Sequence, residues 1–252
     1  HVEYVDHQVC HASLAVYGSG FKECAFLCMD GGGDFGDPRG YVFGDFKENK
    51  FDVLFNSQGV DNIANFHSFA TDAIGFGGEE NGKTSGLAAY GKIISKLKND
   101  LLPSISISPE IGVKFNRERF GTSDVNLSRV NVDSFDRSKI LNTYPSDNNV
   151  TRLSLEYLQV DVAATVEKIV EESVRDLLDM LRKTTKADKI VFSGGLFQNV
   201  ALNGSLIKSD FKDFFFPSAP SDAGLSLGAA LWVKNKSQND TQSEPISAFL
   251  GP

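Results

Sequence analysis

Two segments decide the fold class: KIVFSGGLFQNVALNGSL (residues 189–206) and FKDFFFPSAPSDAGLSLGAALWVKN (residues 211–235). Each begins with a short apolar run, continues into a turn rich in Gly, Ser or Pro, and ends in a stretch typical of a helix. A strand, a turn and a helix repeated in tandem indicate strands that pair in parallel. The sequence therefore predicts an α/β domain with a parallel core.

The strands predicted earlier in the chain add a different kind of pairing. CAFLCM (24–29) is continuously apolar, which is typical of a strand buried on both faces, and it runs into three glycines. Two β-rich runs, YVFGDFK (41–47) and KFDVLFNS (50–57), flank the polar pair Glu48–Asn49 and predict a hairpin or a meander. We therefore expect a mixed sheet.

Apolar residues at helical spacing predict three further helices. The first begins near Asp6, which we expect to be its N-cap, and ends at Gly18 or Gly20. The second lies between Asp61 and Phe76, and the longest lies between residues 155 and 181. The segment from Asn99 onward is polar and weakly periodic, so we expect an excursion at the edge of the fold.

Composition excludes several classes of protein. The chain has 252 residues, 25 of them Lys or Arg and 33 Asp or Glu, and the formal net charge of −8 disfavours nucleic-acid binding. It contains neither an apolar run long enough to span a membrane nor the pattern of a signal peptide. Three cysteines in apolar surroundings favour a reducing, cytoplasmic location. Because the chain begins with His1 and ends at Pro252, we expect it to be a fragment.

His7 and His11 are the first candidates for chemistry. On a helix, residues four apart lie on one face, so both imidazoles could bind one metal ion. Two histidines leave such a site incomplete, because a third protein ligand is usual. The alternative is a pair of ordinary helix residues, and His1 and His67 are given no role.

Glycine-rich turns after predicted strands are the second kind of candidate. Asp30 precedes Gly31, Gly32 and Gly33, whose backbone could approach a phosphate and its metal ion; a glycine-rich hairpin is the alternative. Gly194 and Gly195 open a helix whose N-terminus could bind an anion, with Asn199 and Asn203 one turn further in. Strand ends of α/β folds are where ligands bind, so these turns are expected to converge.

Three further residues have weaker support. Asp222 opens the last helix, where it could bind a ligand or simply cap the helix. Lys83, between glycines, could reach a phosphate. Cys10 has apolar neighbours, so we expect a packed residue rather than a nucleophile.

Four ordered blocks resemble the carbamoyltransferase family that includes the nodulation protein NodU and the antibiotic O-carbamoyltransferases. They are DHQVCHASLAVYGSGFKECAFLCMDGGGD, GKTSGLAAYGK, VFSGGLFQNVALNGSL and PSAPSDAGLSLGAA. The resemblance covers nearly the whole chain except the polar excursion.

The resemblance implies an actin-like, sugar-kinase-like ATPase fold of the ribonuclease H-like class, related to the enzymes that make threonylcarbamoyladenosine in tRNA. It further implies that the N-terminal part of the first lobe is absent here. On this basis we expect the remainder of the first lobe at 1–98, the excursion at 99–150 and the second lobe at 151–252.

The implied activity is carbamoyl transfer. Family members make carbamoyladenylate from ATP and carbamoyl phosphate in a separate domain, and the domain seen here passes the carbamoyl group to a hydroxyl of a small molecule. The resemblance assigns a divalent metal, iron by preference, to His7, His11 and Asp222. It assigns the nucleotide and phosphate side to Asp30, the two glycine turns (Gly31, Gly32, Gly33, Gly194, Gly195), Asn199 and Asn203, with Lys83 as a further candidate.

The resemblance also places the catalytic base that activates the acceptor in an N-terminal segment that this chain lacks. The expected partners are therefore the small-molecule acceptor, carbamoyl phosphate and ATP. Neither nucleic acid nor a membrane is expected to bind, and a homodimer is a further possibility. Two alternatives are a non-catalytic nucleotide-binding module of the same fold and a tRNA-modifying relative.

Overall fold

The computed structural model describes residues 2–33, 39–57, 59, 61–116, 157–237 and 245–246. The helices are α1 (His7–Ser19), α2 (Ile63–Ala73), α3 (Asn81–Ala88), α4 (Ser95–Leu101), α5 (Gln159–Thr185), α6 (Val200–Leu206) and α7 (Leu225–Ser237). The strands are β1 (Cys24–Met29), β2 (Tyr41–Lys47), β3 (Lys50–Asn56), β4 (Ile105–Ser108), β5 (Gly112–Phe115), β6 (Lys189–Ser193) and β7 (Asp213–Phe215). Short 3-10 turns lie at Leu102–Ser104, Gly195–Gln198 and Asp222–Gly224.

Five strands form one mixed sheet in the order β3-β2-β1-β6-β7. β2 is antiparallel to both of its neighbours, whereas β1, β6 and β7 pair in parallel. This order, with only the second strand reversed, is the topology of the ribonuclease H-like fold. The expected α/β class and the mixed sheet are therefore confirmed.

The expected division into two lobes, 1–98 and 151–252, stays a prediction, but strands from both segments pair in one sheet. β1, from the segment expected in the first lobe, pairs in parallel with β6, from the segment expected in the second, and Ala25 lies opposite Ile190. The physical reason is that β1 is buried along its whole length, so both of its edges need a partner strand. β2 covers one edge and β6 covers the other.

The predicted hairpin is present and turns at Glu48 and Asn49. Both residues have left-handed backbone angles, with φ of 51° and 58°. Two left-handed residues match the twist of a two-residue hairpin, which explains why the polar pair interrupts the two β-rich runs.

Helices cover both faces of the sheet. α2 and α5 enclose the larger core, to which Phe66, Ile169 and Phe192 contribute. α1 and α7 pack over the opposite face around Leu14, Phe26 and Leu231. Within the described residues, no helix is both long and apolar enough to cross a membrane.

The first part of the predicted excursion packs on the domain. β4 and β5 form a two-stranded antiparallel sheet, and Val113 and Phe115 are buried. The hydroxyl of Tyr41 accepts from Val113 N at 2.7 Å and donates to Val113 O at 2.9 Å, which fastens this hairpin to β2. The rest of the excursion, 117–150, lies outside the described residues.

Candidate functional site

Two buried histidines lie on the same face of helix α1, as their spacing predicts. Asp6 is the N-cap and accepts a hydrogen bond from Val9 N at 3.1 Å, so the helix begins immediately before His7. The rings of His7 and His11 are 4.9 Å apart and nearly perpendicular, and the residues are only 6% and 0% exposed. α1 thus supplies two possible metal ligands whose imidazole rings are shielded from solvent.

Two carboxylates complete the group. Asp30, directly after β1, has Oδ2 at 3.0 Å from His11 Nε2 and 3.7 Å from His7 Nε2. Asp222, at the turn before α7, has Oδ1 at 3.4 Å from His11 Nε2 and 3.5 Å from His7 Nε2. One donor atom from each residue lies within 4.8 Å of all the others, so the four residues could hold a metal ion.

Asp30 is the residue whose place the sequence did not predict. The motif predicts a loop that approaches a phosphate and its metal ion, whereas the structure places this carboxylate directly in the group with His7, His11 and Asp222. The sequence signal was its position at the carboxyl end of a buried strand, where α/β folds build their sites.

The charges of the group suit a cation. Burial would raise the pKa of Asp30, but hydrogen bonds from His11 and His7 outweigh burial and hold it well below its ordinary value. Burial and the neighbouring Asp30 carboxylate raise the pKa of Asp222. Two carboxylates this close repel each other, and a divalent cation between them would relieve the repulsion. Two imidazoles and two carboxylates are also donors that first-row divalent metals accept.

The group opens into a cavity of about 860 Å³. Asp30 and Asp222 line it, together with backbone glycines, amide side chains and hydroxyls from α2, α3 and the turn before α6. This volume lies within the range of cavities that enclose a small organic ligand. The described residues thus combine a candidate metal centre with room for a ligand beside it.

Glu167 of α5 contacts three side chains that line the cavity, those of His67, Ser85 and Asn199. Its Oε1 lies 2.7 Å from His67 Nε2 and 2.6 Å from Ser85 Oγ, and its Oε2 accepts from Asn199 Nδ2 at 2.7 Å. Burial would raise its pKa, but these hydrogen bonds, led by that of His67, lower it. The charged residues near Glu167 suggest a solvated helix face, yet this side chain is only 16% exposed. Helical periodicity alone did not reveal it.

Some of the residues predicted to bind the nucleotide and its phosphate line the cavity. Asp30, Gly31, Gly195 and Asn199 line it. Gly194 has a backbone role instead: its φ is 95°, and a Cβ there would lie 2.1 Å from Met29 O. Its close contact with β1 keeps the turn against the sheet.

The other predicted residues are not among those that line the cavity: Gly32, Gly33, Lys83 and Asn203. Lys83 Nζ donates to Glu80 Oε1 at 2.5 Å, and its side chain is 56% exposed. Asn203 Nδ2 donates to Phe197 O at 2.8 Å, which stabilises the start of α6. Cys10 is buried and its Sγ donates to Val5 O at 3.8 Å, in line with the predicted packing role.

Comparison with known proteins identifies relatives of the chain. It is 27% identical over its whole length to the nodulation protein NolNO of Sinorhizobium fredii, and it covers 34% of that protein. It is 28% identical to the nodulation protein NolO of Bradyrhizobium diazoefficiens, covering 98% of this chain and 42% of NolO. The chain therefore spans well under half the length of these relatives.

Among solved structures, full-length HypF in its phosphate- and nucleotide-bound form matches with a TM-score of 0.46 and 20% identity, covering 92% of this chain and 36% of HypF. A family model described as the carbamoyltransferase N-terminus matches residues 1–231. The chain belongs to the carbamoyltransferase family, as the N-terminal domain of that family's proteins.

Proposed function

We propose that this chain is the transfer domain of an O-carbamoyltransferase, which passes a carbamoyl group from carbamoyladenylate to a hydroxyl of a small molecule. The observation that carries the proposal is the joint position of the four-residue group and the cavity. Asp30 and Asp222 belong to both, so a bound cation and a bound ligand would touch. Membership of the carbamoyltransferase family supports the reaction class.

In this proposal His7, His11, Asp30 and Asp222 hold a divalent cation of the iron type. When bound, the cation supplies positive charge beside the phosphate of the adenylate. Asn199 and the backbone of Gly195, which line the cavity, orient the nucleotide. Glu167 acts through Asn199, because its hydrogen bond fixes the direction of that amide.

The proposed reaction exchanges one carbon–oxygen bond for another. The acceptor oxygen forms a bond to the carbamoyl carbon, the bond between that carbon and the phosphate oxygen breaks, and AMP leaves. The hydroxyl proton passes to a base, which we assign to none of the described residues. The chain's own contribution is to bind and orient the reactants.

The test uses the full-length protein, in which ATP and carbamoyl phosphate are proposed to supply the adenylate. The purified protein is incubated with ATP, a divalent metal and ¹⁴C-labelled carbamoyl phosphate, first with a small-molecule extract of its source organism and then with tRNA from it. We expect label in a small molecule, and loss of that transfer in Asp222→Ala.

A matched control is Asp213→Ala, which removes an exposed carboxylate that pairs with Lys189 and is not among the residues lining the cavity, so transfer should be unchanged. Label that enters tRNA would favour the tRNA-modifying alternative. Binding of the adenylate without transfer to any acceptor would favour the non-catalytic module. Either outcome would overturn the proposal.

A further inference from the structure

Ser193, the last residue of β6, lies between two parts of the candidate metal centre. Its Oγ is 3.3 Å from His11 Nδ1 and donates to the carbonyl of Pro220 at 3.1 Å. Ser193 and His11 are both fully buried. Pro220 lies two residues before Asp222, so one hydroxyl contacts a histidine of the group and the loop that carries a carboxylate of the group.

When His11 binds a metal, its chemistry decides which atom donates in the contact between Ser193 Oγ and His11 Nδ1. An imidazole that binds a metal through Nε2 is neutral and carries its proton on Nδ1, which then needs an acceptor. A hydroxyl has one proton and two acceptor positions. Because the proton of Ser193 goes to the Pro220 carbonyl, which cannot donate, the Ser193 oxygen is left to accept from His11 Nδ1.

We propose that Ser193 is a positioning residue that holds the proton of His11 on Nδ1 and so directs Nε2 toward the metal. The inference rests on the proposed cation at His7, His11, Asp30 and Asp222. His11 Nε2 already faces both carboxylates, at 3.0 Å from Asp30 Oδ2 and 3.4 Å from Asp222 Oδ1. A buried Nδ1–H without an acceptor would be cut off from solvent, and such groups are costly.

The same serine helps to place Asp222. Gly194 N also donates to the Pro220 carbonyl, at 2.6 Å. Two consecutive residues, Ser193 and Gly194, therefore bind the same oxygen of this loop. The carbonyl can accept both hydrogen bonds because it has two lone pairs. We therefore expect the loss of the Ser193 hydroxyl to loosen this loop only in part, while His11 loses its acceptor.

The test measures Zn²⁺ binding by calorimetry for three substitutions in the protein. Ser193→Ala removes the hydroxyl, Ser193→Cys keeps the volume with a weak acceptor, and Ser193→Thr keeps the hydroxyl. We expect the Kd for Zn²⁺ to rise about 10- to 100-fold in the Ala and Cys variants, as is usual when an outer-shell partner of a metal-bound histidine is lost. Ser193→Thr should restore most of the affinity.

The matched control is Ser13→Ala on α1. Ser13 is fully buried, and its Oγ has no hydrogen-bond partner among the described residues, so its loss should leave the Kd near the wild-type value. Circular dichroism verifies that each variant is folded. Equal Kd values for the wild type and for a folded Ser193→Cys variant would overturn the inference.

A second readout reports the proton directly. In the Zn²⁺-loaded protein with ¹⁵N-labelled histidine, NMR should show His11 with a protonated Nδ1 and a metal-bound Nε2. A metal-bound Nδ1 would overturn the inference while leaving the metal centre in place. A wild-type protein that binds no Zn²⁺, Fe²⁺ or Mn²⁺ would instead overturn the proposed metal centre, and the role of Ser193 with it.

Discussion

The carboxylate of Asp30 lies 3.0 Å from Nε2 of His11, although the two residues belong to different elements of the fold. His11 projects from the middle of α1, and Asp30 follows the last residue of β1. The contact exists because α1 packs against both β1 and β6, whose carboxyl ends lie side by side. At these ends the chain gathers two imidazoles, two carboxylates and the hydroxyl of Ser193.

The first prediction is that Asp30 contributes to metal binding as strongly as Asp222 does. Asp30→Ala should weaken metal affinity by more than the roughly 10- to 100-fold typical of an outer-shell change, because it removes a direct donor. Calorimetry with Mn²⁺ or Zn²⁺ checks the affinity. Asp72→Ala is the control, since that carboxylate lines the cavity outside the metal group. An Asp30→Ala protein with wild-type affinity would leave only the three ligands predicted from sequence.

The second prediction concerns Gly195. A Cβ at this position would lie 2.9 Å from Asp30 Oδ1, which accepts a hydrogen bond from Gly31 N at 2.7 Å. Gly195→Ala should therefore displace the carboxylate and lower metal affinity, with little change in the free energy of unfolding.

Gly204 in α6 provides the control for Gly195, because a Cβ there meets nothing within 4 Å. Gly204→Ala should leave metal affinity unchanged and, as a glycine replaced inside a helix, stabilise the protein by up to about 1 kcal/mol. Metal titration together with urea denaturation separates the two effects. Equal metal affinity in both variants would contradict the prediction.

The third prediction is that Glu167 stabilises the fold. Its carboxylate joins α5 to His67 of α2, Ser85 of α3 and Asn199 before α6. Glu167→Gln removes the charge and mismatches at least one donor, so we expect a loss of about 1–3 kcal/mol in the free energy of unfolding.

The control for Glu167 is Glu171→Gln, one turn further along the same helix. Glu171 pairs with Arg175 at 3.1 Å near the surface, and such pairs contribute about 0–1 kcal/mol. Urea denaturation at neutral pH compares the two variants. A Glu171 variant that loses as much stability as the Glu167 variant would argue against a special role for the buried network.

The fourth prediction follows from the lowered pKa of Glu167. Because the folded protein holds this pKa below its ordinary value of 4.5, the ionised form stabilises the folded state at pH values above 4.5. That contribution should shrink as the pH falls below 4.5 toward the lowered folded value. The measurement is the difference in unfolding free energy between the wild type and Glu167→Gln, at neutral pH and at several acidic values. A difference that stays constant or grows with acid would contradict the prediction.

Much of the local structure follows from sequence patterns over a few residues. The spacing of His7 and His11 predicts a shared helix face, and Glu48–Asn49 predicts the hairpin turn, because each depends only on backbone geometry near those residues. The tandem strand–turn–helix segments predict parallel pairing for the same reason. The resemblance to carbamoyltransferases rests on blocks of this local kind.

Tertiary structure decided which of these pieces meet. The pairing of β1 with β6 places their segments side by side in one sheet, and so brings Asp30 and Ser193 to the same end of the two strands. Packing of α1 against β1 and β6 brings its two histidines together with Asp30 and Asp222, which makes four possible metal ligands. The burial of Glu167 likewise depends on α2 and α3 packing over α5. Sequence patterns report the conformation of neighbouring residues, whereas contacts between distant residues exist only once strands have paired and helices have packed.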